Sequence, residues 1–212
     1  MTVIGVDLRA TAKRLSTAVG LDDHLKLVKW DTFARDAELL ELVVAQQPSV
    51  VAIGSPLTLP SGLCCLDSTC ECALALPQAK GRLCEIELSR LGISCFYTNK
   101  WSIIRDLINR GVQLKHRLNE LGFHVIEVFP HATKVMLFGD NLPRKKSAQS
   151  LPFLEEKLTT LIPDFDGRSE ALDHNTCDAA LSAYTGFLYL GDGTDCLGSP
   201  GEGVVIIPKL PR

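Results

Sequence analysis

Three acidic residues lie where a folded chain should bury them. Asp7 and Glu127 each end or interrupt an apolar run, and Asp178 lies among small apolar residues. Buried carboxylates lose hydration, and three that converge repel one another unless a cation lies between them. Mg²⁺ or Mn²⁺ held by such acids can stabilise the attacking and leaving oxygens in phosphodiester hydrolysis. The alternative is that each acid caps a helix or pairs with a nearby Arg or Lys.

Cysteine is the residue type in excess. The chain has 8 cysteines in 212 residues, and five of them fall between positions 64 and 84. Thiolates at Cys65, Cys70, Cys72 and Cys84, with Cys64 in reserve, offer the tetrahedral four-sulfur set that structural Zn²⁺ takes. The spacing lacks the paired C-x-x-C turns of common zinc ribbons. An iron–sulfur cluster is one alternative, and unligated buried or reactive thiols are the other.

Any basic surface on this protein must be a local one, because the formal net charge of the chain is −3. Arg144, Lys145 and Lys146 form a short run that could neutralise a few phosphates of a nucleic acid, whereas the basic residues of segment 100–117 are typical of a solvated helix face. His174 precedes Asp178 by four residues, so both would share a helix face and His174 could assist the acid. The composition excludes a strongly basic non-specific binder and leaves a nucleic-acid partner open. No protein partner is indicated.

The length favours one domain over residues 1–212. No apolar run approaches the roughly 18 to 20 residues of a membrane span. The first residues also lack the basic segment and apolar run of a signal peptide. We therefore expect a cytoplasmic protein without membrane contact.

Apolar periodicity predicts the elements that position these side chains. Three short strands before residue 31 form an antiparallel meander, and the apolar strands at 50–53 and 124–129 each follow a helix. Strands joined through helices run parallel to one another. The carboxyl ends of these two strands and of the first strand therefore meet at one edge of the sheet, which is where such sheets bind ligands. We predict an α/β fold with a five-stranded mixed sheet flanked by helices. Residues 55–81 lack regular patterning and form an irregular Cys-rich insertion.

Ordered sequence blocks along the chain resemble the family called domain of unknown function 429, here in a cysteine-rich variant. The blocks are residues 4–7, 51–60, 84–93, 125–132, 173–184 and 202–208. The family is described as predicted RNase H-like nucleases, so the resemblance implies an RNase H-like fold. It also implies metal-binding acids on the first strand, near the fourth strand and on the last helix. Asp7 and Asp178 match the first and the last of these, but the strand-four position is Gly54, and Glu127 on the neighbouring strand is the candidate replacement.

Two functions from different classes follow. The first is a divalent-metal-dependent RNase H-like nuclease with Asp7, Glu127 and Asp178 as catalytic metal ligands. The second is a non-catalytic binding or regulatory protein of the same fold, in which Gly54 replaces a metal-binding acid and the metal site has been lost. In that protein the cysteines hold a structural metal or act as redox-active thiols. The sequence leaves open whether the protein is an enzyme.

Overall fold

The computed structural model describes residues 1–11, 13–76, 79–165 and 172–210. Two residues of the predicted insertion, 77 and 78, lie outside this part of the chain. Within the described residues of segment 55–81, the structure contains no helix or strand. No helix in the described ranges is long and apolar enough to cross a membrane.

The main sheet has five strands. They are β1 (Thr2–Asp7), β2 (Ser16–Asp22), β3 (Leu27–Phe33), β4 (Val50–Ile53) and β5 (Val125–Glu127). Their order is β3-β2-β1-β4-β5, with β1 antiparallel to β2 and parallel to β4, and β4 parallel to β5. An antiparallel meander continued by two parallel strands is the arrangement of the RNase H-like fold. The predicted fold class is confirmed.

Six α-helices accompany the sheet within the described residues. They are α1 (Asp36–Gln46), α2 (Leu83–Arg90), α3 (Arg105–Glu120), α4 (Pro130–Phe138), α5 (Ser150–Leu161) and α6 (His174–Leu190). Helices α1 and α3 bury Leu39, Leu114 and Leu118 against one face of the sheet. Helices α5 and α6 bury Leu154, Ala179 and Ala183 against the other face. The sheet is therefore covered on both sides, which explains why its strands read as continuous apolar runs.

Helix α6 lies unusually close to the centre of the sheet. A Cβ atom added at Gly5 would lie 2.0 Å from the backbone nitrogen of Ala183 and 2.3 Å from the carbonyl oxygen of Ala179. Only a residue without a side chain allows this approach. The contact fixes the height of α6 along β1, and with it the position of Asp178 near the end of that strand.

Two elements differ from the sequence-based expectation. The Gly-rich segment after α6, for which the sequence predicts no strand, forms β6 (Thr194–Ser199), which pairs with β7 (Gly203–Pro208) in an antiparallel hairpin. Helix α4, not expected at all, begins directly after β5 and is followed by a 3₁₀ turn over Gly139–Asn141. Strand β7 meets the main sheet through one parallel bridge between Val128 and Ile206.

Candidate functional site

Asp7 and Asp178 come together at the carboxyl edge of the sheet. Asp7 is the last residue of β1, Asp178 lies in the second turn of α6, and their exposed fractions are 7% and 8%. Burial and, second, the charge of Asp178 raise the pKa of Asp7 to about 7, against the opposing charges of Arg9, Lys145 and Lys134. The structure thus brings two of the three predicted acids into electrostatic contact.

Lysine side chains occupy both carboxylate oxygens of Asp178. Lys134, in α4, is buried and donates to Oδ1. Lys145 Nζ lies 3.3 Å from Oδ2 and comes from the exposed loop before α5. A buried ammonium and a buried carboxylate each lose hydration, and the close pairing compensates both. The chain itself supplies positive charge next to the acid that was expected to bind a metal.

Asp7 is less completely satisfied than Asp178. Arg9 Nη2 lies 2.9 Å from Asp7 Oδ2, yet this oxygen and Arg9 Nε are both buried without a hydrogen-bond partner. Arg110 holds the arginine's backbone in place, since its Nη1 donates to the Arg9 carbonyl oxygen at 2.6 Å. His174 lines the neighbouring surface and also carries a buried, unpartnered Nδ1. Burial and the charges of Lys145 and Lys134 lower the pKa of His174.

Glu127 does not join this pair. Its carboxylate accepts two hydrogen bonds from the guanidinium of Arg82, at 2.6 and 2.7 Å, and one from the backbone N–H of Leu57 at 2.7 Å. The reason is the alternation of side chains along a strand. Val125 packs with the α1 and α3 face, so Glu127, two residues on, points to that face, whereas Asp7 points to the α6 face. The expected convergence of three acids is therefore not found.

Gly54 stands on the same face as Asp7, at the position where the family resemblance leads us to expect a third acid. A Cβ atom at this position would lie 3.0 Å from Cγ of Pro130 and 3.2 Å from the carbonyl oxygen of Val6. Pro130 is the first residue of α4. The start of this helix therefore fills the space that a side chain at position 54 would need.

Two cavities that share Arg9 and Lys145 in their walls form what we call the basic groove. Their volumes are about 470 Å³ around Asp7 and Asp178 and about 710 Å³ toward β2 and β3. Basic residues outnumber acidic ones in this lining. The basic ones are Arg9, Arg14, Lys134, Arg144 and Lys145, and the acidic ones are Asp7, Asp173 and Asp178. The groove is locally positive in a chain whose net charge is −3.

The cysteines form a second cluster, in the loop after β4. The sulfur atoms of Cys64, Cys65, Cys70 and Cys72 all lie within 4.8 Å of one another. Hydrogen bonds from the backbone of Cys64 and Cys65 lower the pKa of Cys72 to about 6. Cys84 is not part of this cluster, because α2 buries it among Leu88, Ile93 and other apolar side chains. The structure corrects the expected sulfur set by placing Cys64 in the position assigned to Cys84.

No family model matches the sequence, and no curated protein matches it either. One similar solved structure is that of RuvC from Thermus thermophilus. It is 14% identical in sequence, with a TM-score of 0.49 over 91% of this chain and 97% of that chain. The order and directions of the five strands define the fold of this chain.

The donors at the carboxyl edge do not fit a divalent-metal centre of the RNase H type. Asp178 is held by two lysines, Glu127 is held by Arg82, and position 54 has no side chain. The one group of three or more metal-ligating side chains found among the described residues is the cysteine cluster. Asp7 Oδ2 also lies 2.9 Å from a basic group, Nη2 of Arg9. Mg²⁺ needs oxygen ligands, and the surrounding ammonium and guanidinium groups repel it.

Sequence reasoning missed two residues that shape the site, Lys134 and Arg82. Lys134 was missed because α4 was missed, although Pro130 at the first helical position and Ala132, Val135 and Met136 at helical spacing are signals for this helix. Arg82 lies at the end of the irregular segment, 45 residues from its partner Glu127. No local pattern connects these two.

Proposed function

We propose that the basic groove binds the sugar-phosphate backbone of a nucleic acid without a resident metal ion. The observation that carries this proposal is the pairing of Asp178 with Lys134 and Lys145 inside a groove with more basic than acidic residues. Lysine and arginine bind phosphates by replacing the counterions of the backbone. The family resemblance to predicted nucleases supports a nucleic acid as the anionic partner.

The size of the groove also supports a polymeric ligand. Two adjoining cavities of about 470 and 710 Å³ provide more room than a single phosphate ion fills. Arg14 and Trp30 line the wider cavity, and Arg144 lines the narrower one. Successive phosphates could contact Arg14, Arg9 and Lys145 in turn. Because such contacts read charge and not base identity, we expect binding with little sequence preference.

Divalent-metal-dependent phosphodiester hydrolysis is the second candidate function. One observation favours it: Asp7 has a buried oxygen without a hydrogen-bond partner and a pKa raised to about 7 by burial and Asp178. Paired carboxylates in this state are stabilised by a cation. For Asp7 and Asp178 to be the metal-binding pair, Lys134 and Lys145 would have to leave the Asp178 carboxylate, and Glu127 would take no part.

A binding and cleavage assay separates the two candidates. Fluorescence anisotropy of end-labelled single-stranded RNA, duplex DNA and RNA–DNA hybrid is measured first in EDTA, then in Mg²⁺ or Mn²⁺, and the samples are run on denaturing gels. We expect binding in EDTA, intact strands in both buffers, and roughly ten- to hundredfold weaker binding by Arg144→Ala/Lys145→Ala near 0.1 M salt. The matched control is Lys115→Ala/Arg117→Ala, which removes the same charges from α3 outside the groove.

The outcomes are distinct. Cleavage that requires Mg²⁺ or Mn²⁺ and is lost in Asp7→Asn would establish the second candidate and contradict the first. Absence of binding by all three nucleic acids in every buffer would contradict both. Equal weakening by the groove variant and by the α3 variant would place the phosphate contacts outside the groove.

A further inference from the structure

The four clustered cysteines belong to one short closed loop. The backbone N–H of Ala75 donates to the carbonyl oxygen of Ser61 at 2.8 Å, which closes the loop at its base. Gly62, with φ of +92°, brings the two sides together, since a Cβ atom there would lie 2.3 Å from the carbonyl oxygen of Ala73. All four sulfur atoms lie between these ends, so one ion bound to them would cross-link the loop.

The spacing of the sulfur atoms fits a single tetrahedral ion. With Zn–S bonds of about 2.3 Å, the edge of a sulfur tetrahedron is about 3.8 Å. The Sγ atoms of Cys64 and Cys70 are 3.6 Å apart, and no pair among the four exceeds 4.8 Å. The thiols are thus nearly at ligand spacing without any change in the backbone.

The same spacing disfavours a polynuclear iron–sulfur cluster. In such clusters the thiolates bind different iron atoms bridged by sulfide, which holds the sulfur atoms of the cysteines further apart than around one ion. A set confined within 4.8 Å leaves no room for bridged irons between its members. The geometry therefore selects a mononuclear site among the alternatives that the sequence leaves open.

The surroundings are consistent with a charged centre. Four thiolates around Zn²⁺ carry a net negative charge, and the ammonium group of Lys100 donates to the carbonyl oxygen of Cys70 beside them. The loop has little core of its own. Leu66 is its one fully buried large apolar residue within the described part of 61–75. Hydrophobic burial alone therefore gives this segment little stability, and a structural metal would supply the rest.

We propose that Cys64, Cys65, Cys70 and Cys72 bind one Zn²⁺ ion that fixes the conformation of loop 61–75. Cys84 takes no part in this site. All four cysteines bind as thiolates, the zinc ion keeps its oxidation state, and the protons of those still protonated pass to solvent. The site is structural, because all four coordination positions are filled by protein.

The test uses the full chain purified without added zinc. We expect about one zinc per chain by elemental analysis, and exchange for Co²⁺ should give the intense visible absorption of tetrahedral thiolate coordination. Cys65→Ser and Cys70→Ser should each lose the metal. Cys196→Ser, which removes an exposed thiol of β6, is the matched control and should retain it.

A second measurement covers variants that fail to fold. Wild-type protein stripped with a chelator is digested with protease before and after addition of Zn²⁺, and we expect cleavage within residues 61–75 that Zn²⁺ suppresses. The proposal is overturned by iron with inorganic sulfide, by a disulfide among the four cysteines, or by metal-free protein whose thiols all titrate without delay and whose loop stays protected. It is also overturned if Cys84→Ala, when folded, loses the metal while Cys64→Ser keeps it.

Discussion

Lys134 and Asp7 show opposite solutions to the problem of a buried charge. Lys134 is 7% exposed, and Asp178 compensates its desolvation directly. Asp7 is buried to the same degree, but one of its oxygens has no hydrogen bond, and burial with the nearby charge of Asp178 raises its pKa to about 7. An ionised Asp7 therefore costs stability in the free protein. Such strain is typical of residues kept for binding rather than for folding.

Asp7→Asn should change how stability depends on pH. The pKa of Asp7 is raised in the folded protein from 3.8 to about 7, so the folded state binds the proton more tightly than the unfolded state. Its contribution is fully present below pH 3.8 and is lost as pH rises through 7. At about 1.36 kcal/mol per pKa unit, the full loss is on the order of 4 kcal/mol. The variant cannot lose a proton, so denaturant unfolding should show it gaining stability over wild type between pH 5 and pH 8.

The control for this prediction is Asp31→Asn, which changes an exposed aspartate on β3. It should shift stability by less than about 0.5 kcal/mol at either pH. If wild type instead gains stability relative to Asp7→Asn as pH rises from 5 to 8, Asp7 is stabilised in its charged form and the account of the site is wrong.

At the scale of elements, α6 links the sheet to the site, because it packs against β1 and carries Asp178. Gly5→Ala should lower the free energy of unfolding by about 1 to 3 kcal/mol, because its Cβ atom would lie 2.0 Å from the Ala183 backbone. The same substitution should weaken nucleic-acid binding, because α6 carries Asp178, and Asp178 holds Lys134 and Lys145 in the basic groove. Gly201→Ala is the matched control, because nothing lies within 4 Å of its added Cβ atom. Unfolding in denaturant measures the stability of both variants. Equal stability of Gly5→Ala and Gly201→Ala would contradict the close approach of α6 to β1.

The main sheet could be predicted from the sequence because its signals are local. Strands β1, β4 and β5 are continuous apolar runs, and the acids that end β1 and β5, Asp7 and Glu127, were identified from that pattern. Side-chain direction was not identified, because it depends on register. Once Ile53 is known to pair with Glu127, the alternation along β5 directs Glu127 away from Asp7.

Elements with weak or mixed patterns were missed. Helix α4 has nine residues and a buried lysine, so its apolar stripe is short and interrupted. Strand β6 is half-exposed and contains Gly198 at φ of +99°, which is typical of a loop in sequence. The cysteine spacing predicted a cluster of thiols, yet it could not show that Cys84 faces the core from α2 and lies outside that cluster.

For the molecule as a whole, charge is distributed unevenly. The chain carries a net charge of −3, whereas the groove over Asp7 and Asp178 is lined by more basic than acidic residues. Outside the groove, acidic residues therefore outnumber basic ones in the sequence, and the groove differs from that average in being basic. Binding should accordingly depend on a small number of phosphate contacts, and the logarithm of the association constant should fall with the logarithm of salt concentration by only about 0.9 per contact.

The salt dependence of DNA affinity tests the central claim most directly. The association constant of wild type for duplex DNA is measured in EDTA over a series of salt concentrations and plotted on logarithmic axes. We predict that Arg144→Ala/Lys145→Ala makes the slope less steep by about 2, since each lost phosphate contact contributes about 0.9. We also predict that Lys115→Ala/Arg117→Ala leaves the slope unchanged. Binding that appears only with Mg²⁺, or a slope that the groove variant does not alter, would contradict a metal-free phosphate site in the basic groove.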